Sequence, residues 1–372
     1  MNPLKKLETY GQSVWYDNVS RHLVRSGQLA ALADDDGVTG VTSNPSIFEK
    51  AIGQSNQYDD EIRKIARDKD AASIFRKLAV EDIRDACDIM RPLYDRQDGR
   101  DGFVSIEVSP YLADDTARTV EEARSLWAEI ARPNLMIKVP ATKAGVAAVR
   151  TIISEGINVN VTLLFACAMY ADVVEAYLSG LEARAGDLSR IASVASFFVS
   201  RIDSKVDAQI AEKLKVVQGR DHSGLEALKG RTAIANAKQA YEMYLLNYAG
   251  GGARWNTLAE RGARPQRLLW ASTGTKEKSY SDVLYVEELI GPNTVNTMPP
   301  ETLAAYRDHG NPAARLQLGL IEARNDLAAL EGFGISLDRI TSELLIAGLK
   351  QFKDAADTLF AAIESKRRSI AN

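Results

Sequence analysis

Cysteine and histidine are scarce in this chain of 372 residues, which has two of the first and three of the second. Cys87 and Cys167 stand in unrelated contexts with no metal-ligand spacing, so a disulfide scaffold and a zinc-ribbon site are both excluded. Both are expected to be reduced core thiols of a cytoplasmic protein. His22, His222 and His309 lie far apart and away from apolar strand ends, which leaves little basis for a histidine-centred metal site or nucleophile relay. No run of about 18 apolar residues occurs, and the opening MNPLKKLETYGQ lacks the apolar segment of a leader, so neither membrane spanning nor secretion is expected. Charge of one sign is missing as well: 46 Lys and Arg against 50 Asp and Glu give a net charge of −4. That balance supplies no broad pull toward nucleic acid or an anionic membrane, and an anionic substrate would need a local cluster of cations. There is no GxGxxG turn after an early strand, no low-complexity linker and no repeat of solenoid length.

What remains is an ordinary globular composition, with 45% hydrophobic and 26% charged residues, enough to bury a large core. Short apolar runs rich in Val, Ile and aromatics alternate with longer helical patterns. Eight candidate strands fall at 13–19, 37–43, 103–109, 135–140, 157–164, 191–200, 267–272 and 294–298. Several, such as LMIKV and VTLLF, are apolar at nearly every position, as strands of a parallel sheet covered on both faces are. Amphipathic segments at 74–94, 119–131, 144–155, 166–185, 203–214, 231–248 and 254–261 alternate with them. The alternation predicts an α/β fold, a closed (β/α)8 TIM barrel rather than a doubly wound sheet. Residues 214–224 and 249–252 read as surface loops, and 301–372 as helix almost throughout, broken at 310–312 and 332–334. One domain is expected over 1–372, with a barrel core at about 13–300 and extra helices at about 301–372. The apolar-faced stretch 344–363 suits either packing on the barrel or a dimer seam.

Chemistry in such a barrel collects at the carboxyl ends of the strands. Lys138, inside NLMIKVP, puts an ammonium among residues expected to be buried. Loss of hydration disfavours its charged form and yields an amine able to form a Schiff base with a carbonyl; a lysine that snorkels or ion-pairs at a strand end has the same sequence signature. Asp17 in SVWYDNVS and Glu107 in FVSIEVSP are carboxylates near the ends of apolar runs, where an unpaired charge is costly. Each could pair with a barrel-centre lysine and divide acid/base work with the other. Asp17 could equally cap the helical pattern at 21–32, and Glu107 could serve a structural ion pair. Asn44 in TSNPSIF follows a strand and precedes proline, while Asn160 and Thr162 sit in GINVNVTLLF. Buried amides and hydroxyls need partners, which substrate hydroxyls would supply, or for Asn44 the backbone of a turn.

Four stretches, TSNPSIF, VSIEV, LMIKVPAT and GINVNVTLLF, resemble transaldolase motifs and occur in that family's order, over about the first 300 residues. The full length is similar to that of the longer bacterial transaldolases. The resemblance implies a class I aldolase-like barrel, an enzyme without metal or other cofactor that moves a dihydroxyacetone unit between sugar phosphates in the pentose phosphate pathway. It also implies no nucleic-acid or membrane partner, and a monomer or homodimer. By this resemblance Lys138 is the Schiff-base lysine, Asp17 the acid/base carboxylate, Glu107 the carboxylate that positions a catalytic water and Thr162 the hydroxyl that holds it. Asn44 and Asn160 would bind the dihydroxyacetone hydroxyls, Ser196 would contact substrate and Phe198 would wall the site. Arg201 in FFVSRIDS matches a phosphate-binding arginine, although by itself it could pair with Asp203 or Asp207. In WASTGTKEK, Ser272 and Lys276 stand where many transaldolases have Ser-Phe-Arg, and Ser200 stands where glycine is more usual. Two other readings stand beside it: a class I aldolase that releases the three-carbon unit to water, which the same residues would serve, and a non-catalytic barrel that binds sugar phosphates or acts as a scaffold, which would tolerate loss of Lys138 far better than loss of Arg201.

Overall fold

The computed structural model describes residues 2–65 and 69–371. Eight strands, β1 (Gln12–Tyr16), β2 (Val38–Val41), β3 (Phe103–Glu107), β4 (Leu135–Pro140), β5 (Val159–Leu164), β6 (Ser193–Phe198), β7 (Arg267–Ala271) and β8 (Thr294–Met298), pair in chain order. Every neighbour is parallel and β8 returns to β1, so the (β/α)8 barrel closes as expected. β4, β5 and β6 are buried along their whole length, which is why their sequences are apolar at consecutive positions. Side-chain caps start three of the helices between strands. Asp70 accepts from the Ser73 N–H (2.8 Å) ahead of Ala71–Arg96, Asp115 from Arg118 (3.0 Å) ahead of Thr116–Ile130, and Thr142 from Gly145 (2.9 Å) ahead of Lys143–Ser154. Each satisfies a backbone donor that the first helical turn leaves unpaired.

Element ends differ from the sequence reading where a strand runs into a polar turn. β1 stops at Tyr16 rather than 19, and β6 at Phe198, so Ser200 opens the helix Ser200–Leu214 instead of closing the strand. The loop expected at 214–224 overlaps the helix Gly219–Glu226, whose one buried side chain, Leu225, leaves no apolar period to read. The pattern at 21–32 divides at Gly27 into Arg21–Arg25 and Gln28–Asp36. The break expected at 310–312 extends to 319.

At the amino-terminal end of the barrel one carboxylate gathers four strands. Asp101, just before β3 and 2% exposed, accepts from Trp15 Nε1 (2.7 Å), from Thr39 Oγ1 (3.0 Å) and from the Ser13 hydroxyl, with Arg267 Nη1 3.5 Å away. Trp15 is register-paired with Gly40 on β2, and a Cβ at residue 40 would lie 2.5 Å from the indole ring. Glycine is therefore required there for space.

The last helix, Leu337–Ala371, crosses the opposite end, packing on Pro45–Phe48 after β2, on Pro110–Leu112 after β3 and on Ser200–Leu214 after β6. Lys205 pairs with Glu343 (2.5 Å), Lys366 with Asp59 (2.6 Å), and the Tyr111 hydroxyl donates to Asp357. Ile340, Leu344, Phe352, Leu359 and Ile363 are buried, so the apolar face at 344–363 is taken up by the barrel. No described helix is long and apolar enough to cross a membrane.

The Trp15 contact makes Gly40→Ala destabilising by roughly 1–3 kcal/mol, because the added methyl has no room. Its urea midpoint, followed by circular dichroism, falls below that of the wild type. Gly332→Ala, which meets nothing within 4 Å, leaves the midpoint nearly unchanged. Equal midpoints for both variants would contradict the packing described.

Candidate active site

The carboxyl ends of the strands open into a cavity of about 560 Å³. Glu107, Lys138 and Asn160 are register partners on β3, β4 and β5 and therefore form one row at one height in the barrel. Lys138 is 5% exposed; its Nζ donates to the Ser43 carbonyl (2.9 Å) and lies 3.7 Å from Glu107 Oε2. At that separation there is no hydrogen bond between them, and charge attracts the pair once Glu107 is ionised. The ammonium is thus buried at the cavity floor and does not snorkel to solvent.

Asp17 follows β1, and its N–H donates to the Met298 carbonyl (2.9 Å), which continues the ladder with β8 by one residue. Thr42 Oγ1 donates to Asp17 Oδ1 (2.7 Å) and lies 2.6 Å from Thr297 Oγ1. With the Thr42 proton on Asp17, Thr297 donates to Thr42, and the three residues form a chain that orients the carboxylate. Asp17 is not a helix cap; Ser20 has that part, accepting from the Leu23 N–H (3.1 Å). Asn44 does cap, taking the Ile47 N–H (3.0 Å) on its amide oxygen, and also lines the cavity.

Thr162, Ser196, Phe198, Arg201, Ser272 and Lys276 line the cavity too. Glu107 and Asn160 lie beside it rather than in its wall. Asn160 accepts from Ser196 Oγ (2.6 Å) and donates to Ser105 Oγ (3.1 Å), and Glu107 borders a second, mostly apolar cavity of about 360 Å³. Arg201 stands 5.4 Å from the centre of the Phe198 ring and, among the described residues, has no ion-pair partner. The alternative pairing fails because both aspartates are engaged elsewhere. Asp203 accepts from Ala233 N–H (2.7 Å) and Tyr285 OH (2.9 Å), and Asp207 from Gly230 N–H (3.2 Å) and Tyr280 OH (2.9 Å). Burial pushes the Arg201 guanidinium below its ordinary pKa, a shift that Asp17 opposes.

Burial likewise raises both carboxyls. Asp17 moves up against the opposing pull of Lys138, the Thr42 hydroxyl and Arg201. Glu107 is pushed up to about 7 by burial, against the pull of Lys138 and with a further push from Asp17. Two residues at the cavity carry left-handed backbone without being glycine, Leu163 beside Thr162 and Ser272 at the end of β7, each with φ of 56°. The β5–β6 register shifts at the first, and Gly348 of the last helix leaves the space that Leu163 fills. Ser272 accepts the Ser200 N–H on its carbonyl (3.0 Å), and the two hydroxyls lie 3.0 Å apart. The sequence reading missed Thr42, Thr297, Lys50, Gln351 and Phe352, all of which line the cavity. Thr42 stood inside a quoted motif; Gln351 and Phe352 arrive from a helix more than half the chain away.

The sequence profile of the family described as Transaldolase/Fructose-6-phosphate aldolase matches residues 14–363. The chain belongs to that family. Similarity to transaldolases therefore does not stop near residue 300 but takes in most of the last helix. A protein named Transaldolase from Thiobacillus denitrificans is 48% identical over 98% of this chain and 100% of its own length. Transaldolase 2 from a Nostoc species is 47% identical over 100% and 99%, and Transaldolase from Trichodesmium erythraeum 46% over 99% and 98%.

Glu107 gives a pH signature. The folded carboxyl keeps its proton up to about pH 7, whereas the ordinary value is 4.5. Between those values the native state binds more protons than the unfolded one, so stability falls as pH rises through the window. In Glu107→Gln that component is absent, and the difference between the two proteins' unfolding free energies changes from pH 4.5 to 7, as urea titrations at several pH values would record. Parallel curves would remove the shift assigned to Glu107.

Proposed function

We propose that this member of the transaldolase family transfers a dihydroxyacetone unit from sedoheptulose 7-phosphate or fructose 6-phosphate to glyceraldehyde 3-phosphate or erythrose 4-phosphate, in the non-oxidative pentose phosphate pathway. The observation that supports it most is Lys138, a buried amine at the cavity floor with Glu107 beside it and Asp17 exerting its charge from the end of β1. Lys138 Nζ attacks the ketose carbonyl, and the resulting carbinolamine loses water to give the protonated imine. Glu107 Oε2 and Thr162 Oγ1 are both buried without a protein hydrogen-bond partner, and a water held between them would satisfy both. Asp17 takes the C4 hydroxyl proton as the C3–C4 bond breaks, and the electron pair passes to the imine nitrogen. The aldose leaves, the enamine stays on Lys138, and addition of the acceptor aldehyde runs the same steps backward.

Asn44, Asn160 and Ser196 are assigned to the hydroxyls of the three-carbon unit, Asn160 with the one amide hydrogen that Ser105 does not take. Phe198 forms a wall. Arg201, Ser272 and Lys276 are assigned to the phosphate, Arg201 as the fork-shaped donor and Lys276 as a point charge at the exposed rim. The last helix belongs to the same functional unit, residues 1–372, because Gln351 and Phe352 complete the cavity. A cytoplasmic monomer or homodimer is the assembly proposed, in keeping with two unpaired cysteines.

The transfer assay tests this reading. Fructose 6-phosphate with erythrose 4-phosphate yields sedoheptulose 7-phosphate, and without acceptor the release of dihydroxyacetone is slow. Lys138→Met lowers turnover on the order of 10⁴-fold or more, while Arg201→Gln raises KM about 10- to 100-fold. Dihydroxyacetone release at one rate with or without acceptor would favour the aldolase, and turnover that survives Lys138→Met would end the Schiff-base proposal.

A further inference from the structure

A third cavity, of about 410 Å³, opens at the other end of the barrel, where the strands begin. Gly99 and Arg100 precede β3, Ser193 starts β6, Arg264 and Arg267 lead into β7, and Asn293 precedes β8. Strands of about five residues put it roughly 16 Å from the active-site end. Its walls carry three arginines, Arg100, Arg264 and Arg267, and no carboxylate.

The counter-charges behind those walls are too few. Arg264 donates to the Asp98 carbonyl (2.6 Å) and lies 3.2 Å from Asp98 Oδ2, which it shares with Arg190 (2.8 Å to Oδ1). Arg267 sits 3.5 Å from Asp101, whose oxygens are already taken by Ser13, Trp15 and Thr39. Arg100 has no carboxylate within ion-pair reach among the described residues. Four guanidiniums face two carboxylates. Arg264 Nη1 is buried with no hydrogen-bond partner, and burial, with Arg100 and Arg190 adding to it, pushes the Arg264 guanidinium below its ordinary pKa.

We infer that this cavity binds a small organic phosphate monoester, separate from the substrate site. A monoester carries about −1.5 to −2 charge near neutral pH, which matches the uncompensated charge. Guanidiniums bind phosphate oxygens through paired N–H donors, and the unpartnered Nη1 of Arg264 gains an acceptor. The volume falls in the range of small-molecule sites. Ala259, Ala263, Pro265 and Phe103 offer apolar wall to the organic part. This inference does not depend on the reaction proposed above.

Isothermal titration of the full chain with glycerol 2-phosphate at low ionic strength tests it. The Arg201→Gln variant, weakened in the substrate phosphate site, still binds one equivalent. Adding Arg100→Gln and Arg264→Gln weakens that binding at least about tenfold. Arg100→Gln with Arg264→Gln in an otherwise unaltered chain keeps the circular dichroism spectrum and cooperative urea unfolding of the wild type, which certifies the fold. Should the loss of Arg264 disturb Asp98, the exposed Arg100→Gln alone still weakens binding severalfold. No binding by Arg201→Gln, or binding indifferent to Arg100 and Arg264, overturns the inference.

Discussion

An ammonium buried at the centre of a parallel barrel needs acceptors and opposite charge around it, since removing it from water without them costs several kcal/mol. Lys138 finds both within one layer: the Ser43 carbonyl from the turn after β2 and the Glu107 carboxylate from β3. Asp17, from the end of β1, adds a second negative charge. These neighbours come from three strand ends, and the curvature of the closed barrel turns the end of β1 toward β4, with which it does not pair. The constraint runs the other way as well. Both carboxyls are raised by burial, and the charge of Lys138 is what opposes that shift.

Precision at this layer is supplied from outside it. Asp101 holds the starts of β1, β2 and β3 in register at the far end, so Asp17 and Thr42 emerge side by side at the near end. Leu337–Ala371, clamped by Lys205–Glu343 and Lys366–Asp59, brings Gln351 and Phe352 to the cavity and packs Gly348 against Leu163. The left-handed backbone at Leu163 and Ser272 is the kind of strain that persists where surrounding structure over-determines it.

All eight strands were located, most plainly those that are apolar at nearly every position because both their faces are buried, and the row of Glu107, Lys138 and Asn160 was legible because each interrupts such a run. Thr42 and Thr297 were not, since threonine is at home in any strand and nothing in its spacing marks a hydroxyl aimed at a carboxylate. The turn at Ser272 carried no glycine to announce it. Gly219–Glu226 buries too little to leave a period, and Gln351 is a polar residue on a helix, indistinguishable in sequence from any solvated position. Arg201 could be named but not freed from Asp203 and Asp207 until Tyr285, Tyr280 and two backbone N–H groups were seen to occupy them.

The central claim is that Lys138 carries the substrate covalently, and borohydride trapping addresses it most directly. Incubation with fructose 6-phosphate in the presence of EDTA, reduction and peptide mapping by mass spectrometry should find a dihydroxyacetone-derived adduct on Lys138 and on no other lysine, Lys50 and Lys276 of the same cavity included. An unmodified Lys138 in protein that demonstrably binds the sugar phosphate would contradict the account.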